Sequence, residues 1–143
     1  MHVKDAMTQD VAVAPLSSTV RDVAGIMRIE DCGFVPVADG HTLVGVVTDR
    51  DLVIRCMADD SLDGPVGDIP IAEVMTSTDL VTVGPDDQLR TAAHMMALRQ
   101  VRRLVVTDQG RIVGVITLGD LEQAVHGRGA AAREAILAVT LQD

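Results

Sequence analysis

The chain has 143 residues, of which 48% are hydrophobic, and a formal net charge of −9, with one Phe and no Tyr or Trp. Nucleic-acid binding is not expected, because it depends on Lys and Arg displacing counterions and, for single strands, on aromatic stacking. No apolar run approaches the roughly 20 residues that span a bilayer, and the N-terminus has no signal peptide, so we expect a cytoplasmic protein without a membrane partner.

Hydrophobic periodicity predicts the same order of elements twice. Each half starts with a short strand and a Pro-led turn, continues with a helix whose apolar residues recur at i, i+3, i+4 and i+7, and ends with two strands and a closing helix. Tight turns containing Asp and Gly join the two strands. The predicted strands are 11–13, 34–37, 43–47, 80–83, 104–106 and 112–116. The closing helices are predicted to start at Leu52 and Leu121. The unit is β-α-β-β-α, and the fold class is α/β.

An internal repeat underlies this order. The octapeptide 45–52 returns 69 residues later as 114–121. In each copy a Thr hydroxyl is followed three residues later by an Asp carboxylate, where a strand gives way to a helix: Thr48 and Asp51, then Thr117 and Asp120. Thr and Asp at such a junction are common helix caps, and they can also hold a polar ligand, so both interpretations stay open.

Composition divides the chain into four parts. We expect a first repeat over 3–56, an acidic linker over 57–70, a second repeat over 71–125 and a C-terminal helical tail over 126–143. Neither repeat is comfortably large enough to stand alone, so the two should share one core. The tail is too short to be stable by itself and should dock on its own chain or on another.

The Cys and His residues give no sign of metal or redox chemistry. Cys32 and Cys56 lack a C-x-x-C spacing, so we expect two buried or partly buried thiols in a reducing compartment. The histidines are scattered over a terminus, a turn, a helix and a helix end: His2, His41, His94 and His126. Since neither a nucleophile with its base nor a triphosphate-binding loop is present, we expect no enzyme activity and no metal site.

Several motifs together resemble a known family. Met-Thr opens each copy at Met7 and Met75, the Thr-x-x-Asp signature closes each copy, and the segment 101–106 reads VRRLVV. These features are similar to the cystathionine-β-synthase (CBS) domain pair, or Bateman module, in its small stand-alone bacterial form, from about Val3 to about Val125. The resemblance implies tandem CBS repeats related by a pseudo-twofold axis, with two clefts that bind adenine nucleotides.

The resemblance also implies a set of ligand-binding residues for each cleft. The first cleft takes residues from both copies: Ala12, Val13, Cys32, Gly33, Phe34, Pro36, Arg102, Arg103, Thr117, Gly119 and Asp120. The second cleft does the same: Thr48, Arg50, Asp51, Leu80, Val81, Thr82, Val101, Arg102 and Leu104. In each cleft the Asp carboxylate accepts hydrogen bonds from ribose hydroxyls, and arginines face the phosphates. We rank the first cleft ahead because two arginines converge on it; the alternative is that they are surface residues that keep an acidic protein soluble.

From these implications we expect a regulatory module that senses AMP or ATP and requires no cofactor. We expect it to relay the occupancy of its clefts through a homodimer to an unknown effector protein. The homodimer is expected because the helices offer more apolar surface than one layer of strands can cover: Val20, Val23, Ala24, Met27, Leu52, Ile54, Leu89, Ala92, Ala93, Met96, Leu121 and Val125. Two alternatives are a stress-associated structural or interaction protein with weak or no ligand binding, and a metal-responsive module that uses the Cys and His residues.

Overall fold

Two compact units make up the chain. The structure, a computed structural model, describes residues 1–62 and 64–125, so the predicted tail over 126–143 lies outside the described residues. One unit is Ala12–Leu80, which we call the continuous unit. The other combines Met1–Val11 with the chain from Val81 onward, and we call it the split unit.

The continuous unit has a three-stranded sheet and one long helix. Its elements are β1 (Ala14–Pro15), α1 (Val20–Glu30), β2 (Phe34–Asp39), β3 (Thr42–Thr48) and α2 (Asp49–Asp51), and α2 runs directly into a π-helical segment, Leu52–Met57. Strand β2 lies in the middle, parallel to β1 and antiparallel to β3. Helix α1 begins at a capping box, in which the Asp22 amide donates to Thr19 Oγ1 and the Thr19 amide donates to the Asp22 carboxylate.

The split unit repeats this arrangement. Its elements are β4 (Thr82–Val83), α3 (Leu89–Arg99), β5 (Arg103–Asp108), β6 (Arg111–Thr117) and α4 (Leu118–Val125). Strand β5 lies in the middle, parallel to β4 and antiparallel to β6. The hairpin turn uses Gln109 and Gly110 at positive φ, and the β2–β3 turn has Gly40 at φ 63°. The predicted hairpins are therefore confirmed, and Gly stands where the left-handed conformation needs it.

The segment that opens each repeat packs against the core of one of the two units. Val3 is fully buried among residues of the split unit, and its amide donates to the Asp87 carbonyl over 2.8 Å. Thr8 forms an antiparallel bridge with Val115 of β6. In the continuous unit, the equivalent Ile71 is fully buried, and Thr76 forms the matching bridge with Val46 of β3. Each Met-Thr segment thus packs beside the third strand of a unit formed mostly by the other repeat.

Several predicted boundaries were wrong. The strands expected over 11–13 and 80–83 are the two-residue strands β1 and β4, which begin later because only two residues in each are paired with the neighbouring strand. The closing helices begin at Asp49 and Leu118, three residues earlier than predicted, because Thr48 and Thr117 cap them. Within the predicted linker, a 3₁₀ turn forms at Val66–Asp68, and Ile69 is buried in the core of the continuous unit.

Both cores consist mainly of Val, Leu, Ile, Ala and Met side chains, and Cys56 lies in the core of the continuous unit. They contain most of the helix residues that were expected to be shared between chains: Val20, Val23, Met27, Leu52, Leu89, Ala92, Ala93, Met96 and Leu121. The argument for a dimer from these faces was therefore wrong, since each unit buries them itself.

Within the described residues, no helix is both long enough and apolar enough to cross a bilayer.

Candidate functional site

The two Thr-x-x-Asp motifs form equivalent capping boxes. In the split unit, the Asp120 amide donates to Thr117 Oγ1 over 3.1 Å, and the Thr117 amide donates to Asp120 Oδ2 over 2.9 Å. Thr48 and Asp51 make the same two bonds in the continuous unit, at 3.1 and 2.9 Å. The helix-cap interpretation is thus confirmed for both motifs. Each box uses one oxygen of its carboxylate, which leaves the other oxygen to be accounted for.

The second carboxylate oxygen has different surroundings in the two units. Asp51 Oδ1 lies 3.7 Å from Nε of Arg55, four residues further along the chain. The matching position in the split unit is Ala124, which has no charge to offer. Among residues 1–62 and 64–125, the Asp120 carboxylate has no hydrogen bond beyond those of its capping box. Asp120 therefore retains an acceptor for a ligand hydroxyl, whereas Asp51 already faces a guanidinium.

A cavity of about 410 Å³ lies within the split unit beside this capping box. It is lined by Arg102, Arg103, Thr117, Leu118, Gly119 and Glu122. Asp120 is not one of the lining residues, but two hydrogen bonds join it to Thr117, which is one of them. The cavity volume is within the range of small-molecule sites. Two cations and a nearby carboxylate suit a ligand that carries both an anion and hydroxyl groups.

Strand register explains why these residues meet. Arg103, the first residue of β5, pairs with Thr117, the last residue of β6. Just beyond that pair, the Leu118 amide donates to the Arg102 carbonyl over 2.9 Å. The two arginines therefore lie next to the start of α4. The sequence predicted four of the six lining residues, and it missed Leu118 and Glu122, which the helical spacing after Thr117 could have indicated.

The remaining predicted site residues are distributed over both units. Ala12, Val13, Cys32, Gly33, Phe34, Pro36, Thr48, Arg50, Asp51 and Leu80 belong to the continuous unit, and Val81, Thr82, Val101 and Leu104 belong to the split unit. The side chains of Pro36 and Leu104 are buried within their own units. Both predicted clefts combine residues of the two units and stay predictions. The structure brings Arg102, Arg103, Thr117 and Gly119 together within the split unit.

The thiols are a structural feature of the continuous unit. Burial raises the pKa of the Cys56 thiol, and the nearby charge of Asp59 adds to that effect. The Cys56 Sγ donates to the Val66 carbonyl over 3.9 Å. Cys32 is half-buried. The expectation of buried or partly buried thiols is therefore confirmed, and within the described part of the chain no three His, Cys, Asp or Glu side chains form a group that could hold a metal ion.

Comparison with known proteins establishes the family. The model of the CBS domain matches residues 3–57 and 66–127. The chain belongs to the CBS domain family. It is a CBS domain pair, a regulatory module, and it is 40% identical over 119 residues to the CBS domain-containing protein YhcV of Bacillus subtilis (strain 168), which covers 83% of this chain and 81% of YhcV. Enzymes among the relatives, such as inosine-5′-monophosphate dehydrogenase, match this CBS pair only through their CBS regions.

Solved structures show the same fold. Hypoxic Response Protein I, solved with two coordinated zinc ions, has a TM-score of 0.76 and 28% identity, covering 86% of this CBS pair and 98% of that chain. CBSX2, solved in complex with AMP, has a TM-score of 0.72 and 29% identity, covering 87% and 95%. The predicted α/β fold of tandem CBS repeats is confirmed.

Proposed function

We propose that this CBS pair is a cytoplasmic, non-catalytic regulatory module that binds an adenine nucleotide, preferentially AMP, at the Asp120 end of the split unit. The observation that carries the proposal is the cavity beside the capping box, which two arginines line together with Thr117, the capping partner of Asp120. The AMP bound by CBSX2, a protein of the same fold, supports the choice of an adenine nucleotide.

The ribose is assigned to Asp120. A carboxylate oxygen that accepts from a vicinal hydroxyl makes a charge-assisted hydrogen bond, which is stronger than a neutral one. The Thr117 amide donates to one oxygen of this carboxylate, and the Asp120 amide donates back to Thr117 Oγ1, so the capping box restrains the Asp120 side chain. A restrained acceptor loses little conformational freedom when the ligand arrives, so more of the interaction energy appears as affinity.

The phosphate is assigned to Arg102 and Arg103. A phosphate monoester carries a charge of about −2 near pH 7, and two guanidinium groups match it in charge and in hydrogen-bonding geometry. Glu122 also lines the cavity, and its carboxylate would repel the additional charge of a triphosphate. This balance favours AMP over ATP.

Relay of the signal is assigned to a homodimer. Ile29 near the end of α1 and Leu98 near the end of α3 occupy matching positions and are 76% and 65% exposed. The π-helical segment adds three more exposed apolar side chains: Val53, Ile54 and Met57. Burying such surfaces between two chains would remove them from water, and a twofold dimer is the commonest way to do so. An effector protein would then respond to ligand occupancy through this dimer.

Calorimetric titration with AMP, ATP and adenosine tests the proposal. We expect AMP to bind more tightly than ATP and adenosine. The double variant Arg102→Gln/Arg103→Gln should bind AMP only as tightly as it binds adenosine, and its affinity for adenosine should equal that of the wild type. The matched control replaces Arg90 and Arg111, which lie elsewhere in the split unit, and should keep the preference for AMP. Failure of all three ligands to bind would refute the proposed function.

A further inference from the structure

Gly119 is the second residue of helix α4, and it lines the cavity beside the capping box of Thr117 and Asp120. Glycine destabilises a helix relative to alanine, because it loses more backbone freedom on folding and brings no side chain to pack. A glycine at this place therefore needs a reason. That reason lies either in the conformation of the backbone or in the space next to the residue.

The conformation of the backbone does not require a glycine at this position. Among the described residues, three glycines have a positive φ, and Gly119 is not one of them. Beyond the chain neighbours and the helix backbone, the atom nearest to a Cβ placed on Gly119 would be Thr117 Oγ1, at an ordinary contact distance of 3.7 Å. At Gly114, by contrast, a Cβ would lie only 2.7 Å from the carbonyl oxygen of Thr8. A side chain at position 119 is therefore compatible with the fold.

The first repeat shows that this position accepts a long side chain. Arg50 stands at the matching place, as the second residue of α2, and it is exposed. The capping box around it, formed by Thr48 and Asp51, has the same two hydrogen bonds with the same lengths as the box at α4. The capping box thus forms whether the residue inside it is Arg or Gly.

The space next to Gly119 is part of the cavity. Gly119 and Glu122 lie three residues apart on α4 and therefore share one face of the helix, and both line the cavity. Because a Cβ on Gly119 would contact little of the protein, a longer side chain would extend into this open space. The missing side chain leaves room that a ligand can use.

The arginines indicate which part of the ligand uses this room. Arg102 and Arg103 also line the cavity, and their guanidinium groups suit a phosphate. Asp120, to which we assign the ribose, is not one of the lining residues. A group added at Gly119 should therefore interfere with the phosphate more than with the nucleoside part of the ligand.

We propose that Gly119 is a specificity-determining residue, whose missing side chain leaves the room in which the phosphate of the nucleotide reaches Arg102 and Arg103. This inference rests on the proposed function and deepens it, because it assumes that AMP binds at the Asp120 end. A methyl group in this room would meet the phosphate by steric contact and would leave the charge of the cavity unchanged. The glycine thus lowers the stability of α4 and allows the nucleotide to bind.

Calorimetric titration of Gly119→Ala and Gly119→Leu with AMP and adenosine tests this inference. AMP affinity should fall about tenfold in the alanine variant, as one methyl group in a binding pocket can cause, and further in the leucine variant. Adenosine affinity should equal that of the wild type. The melting temperature of the alanine variant should stay constant or rise, since alanine favours a helix.

Gly25, inside helix α1, offers the matched control. A Cβ placed on Gly25 would have no atom within 4 Å beyond its chain neighbours and the helix backbone, so alanine fits there as well. Gly25→Ala should raise the melting temperature and leave the affinities for AMP and adenosine unchanged. A loss of AMP affinity in this control as large as that in Gly119→Ala would overturn the assignment to Gly119.

The other outcomes separate this inference from the function on which it rests. Wild-type AMP affinity in both Gly119 variants, or an equal loss for AMP and adenosine, would overturn the role of Gly119 and leave AMP binding by the wild type intact. A lower melting temperature in Gly119→Ala would show that the backbone needs the glycine, which also overturns it. If the leucine variant does not fold, the alanine variant decides. A wild-type chain that binds neither ligand would refute the proposed function and this inference together.

Discussion

Asp51 and Arg55 form an ion pair across one turn of helix, with 3.7 Å between Asp51 Oδ1 and Arg55 Nε. The side chain of Asp51 is only 19% exposed, and the guanidinium faces the carboxylate oxygen that its capping box does not use. In the split unit, Ala124 stands in the place of Arg55 and brings no charge to Asp120. The repeats therefore share a capping box and differ in whether a cation faces its carboxylate.

Ala124→Arg should transfer this ion pair to the split unit. The new guanidinium would compete with ribose for Asp120, and we expect AMP affinity to fall about two- to fivefold, as an exposed ion pair implies. The same pair stabilises a helix slightly, but Ala124 is partly buried against the core of the split unit, so the melting temperature should change little. Calorimetry and thermal melting of one sample check both effects, and a drop in melting temperature alongside the affinity would point to misfolding instead.

Asp120→Ala should separate ligand binding from helix capping. We expect nucleotide affinity to fall by about 1.5–3 kcal/mol, the usual value for a hydrogen bond to a charged group, and by more than in Asp51→Ala. Asp22 closes a capping box of the same geometry on α1 and serves as the matched control. Asp22→Ala should lower the melting temperature without changing AMP affinity. Equal AMP affinity in wild type and Asp120→Ala would show that Asp120 only caps the helix.

Val3→Ala and Ile71→Ala should weaken opposite halves of the molecule. Both side chains are fully buried, and truncating Val3 should lower the free energy of unfolding by roughly 2 kcal/mol. Hydrogen exchange should show lost protection in β5 and β6 for Val3→Ala, and in β2 and β3 for Ile71→Ala. Loss of protection in β2 and β3 after changing Val3 would contradict the packing of Met1–Val11 in the split unit.

Gly114→Ala should destabilise the protein more than Gly45→Ala. A Cβ at Gly114 would lie 2.7 Å from the carbonyl oxygen of Thr8, which is fixed in a backbone bridge. At Gly45 the nearest atom is Sδ of Met75, at 2.5 Å, and a thioether side chain can rotate away. We expect about 1–3 kcal/mol for the first change and less for the second, as measured by urea unfolding. The reverse order would show that the bridge to Thr8 is the more yielding contact.

The ion pair between Lys4 and Asp86 should make stability depend on pH. Lys4 Nζ donates to Asp86 Oδ1 over 2.9 Å; this bond raises the pKa of Lys4 above 10.5 and lowers the pKa of Asp86 below 3.8. The contribution is thus fully present between these values. It is lost as the pH falls from 3.8 through the lowered pKa of Asp86, and as it rises from 10.5 through the raised pKa of Lys4.

Comparing the melting temperatures of wild type and Lys4→Met across this range checks the prediction. The difference between the two proteins should be present at neutral pH and vanish at both extremes. High salt should shrink it, because both side chains are exposed. A difference that does not change with pH would mean that the methylene groups of Lys4, rather than its charge, stabilise the opening segment.

The sequence predicted the local structure well because the same pattern of residues occurs in both repeats. Short apolar runs indicated the strands, and the paired Thr and Asp lay at the junction from strand to helix in both repeats. The partner of each opening segment could not be predicted, since Val3 and Ile71 begin segments of the same pattern, VKDAMT and IAEVMT, and either would fit either core. The ion pair at Arg55 was missed although its spacing of four residues from Asp51 was visible in the sequence, because the spacing alone does not show whether two side chains meet.

The division into a continuous and a split unit has a consequence for biosynthesis. Once residue 80 has left the ribosome, the continuous unit has its whole core and can fold. Val3 and the rest of Met1–Val11 are made before the continuous unit, yet they must wait until the chain from Val81 has also emerged. At ordinary rates of translation that wait lasts several seconds. This segment therefore precedes the continuous unit in synthesis but packs after it, and during that interval a chaperone could hold it.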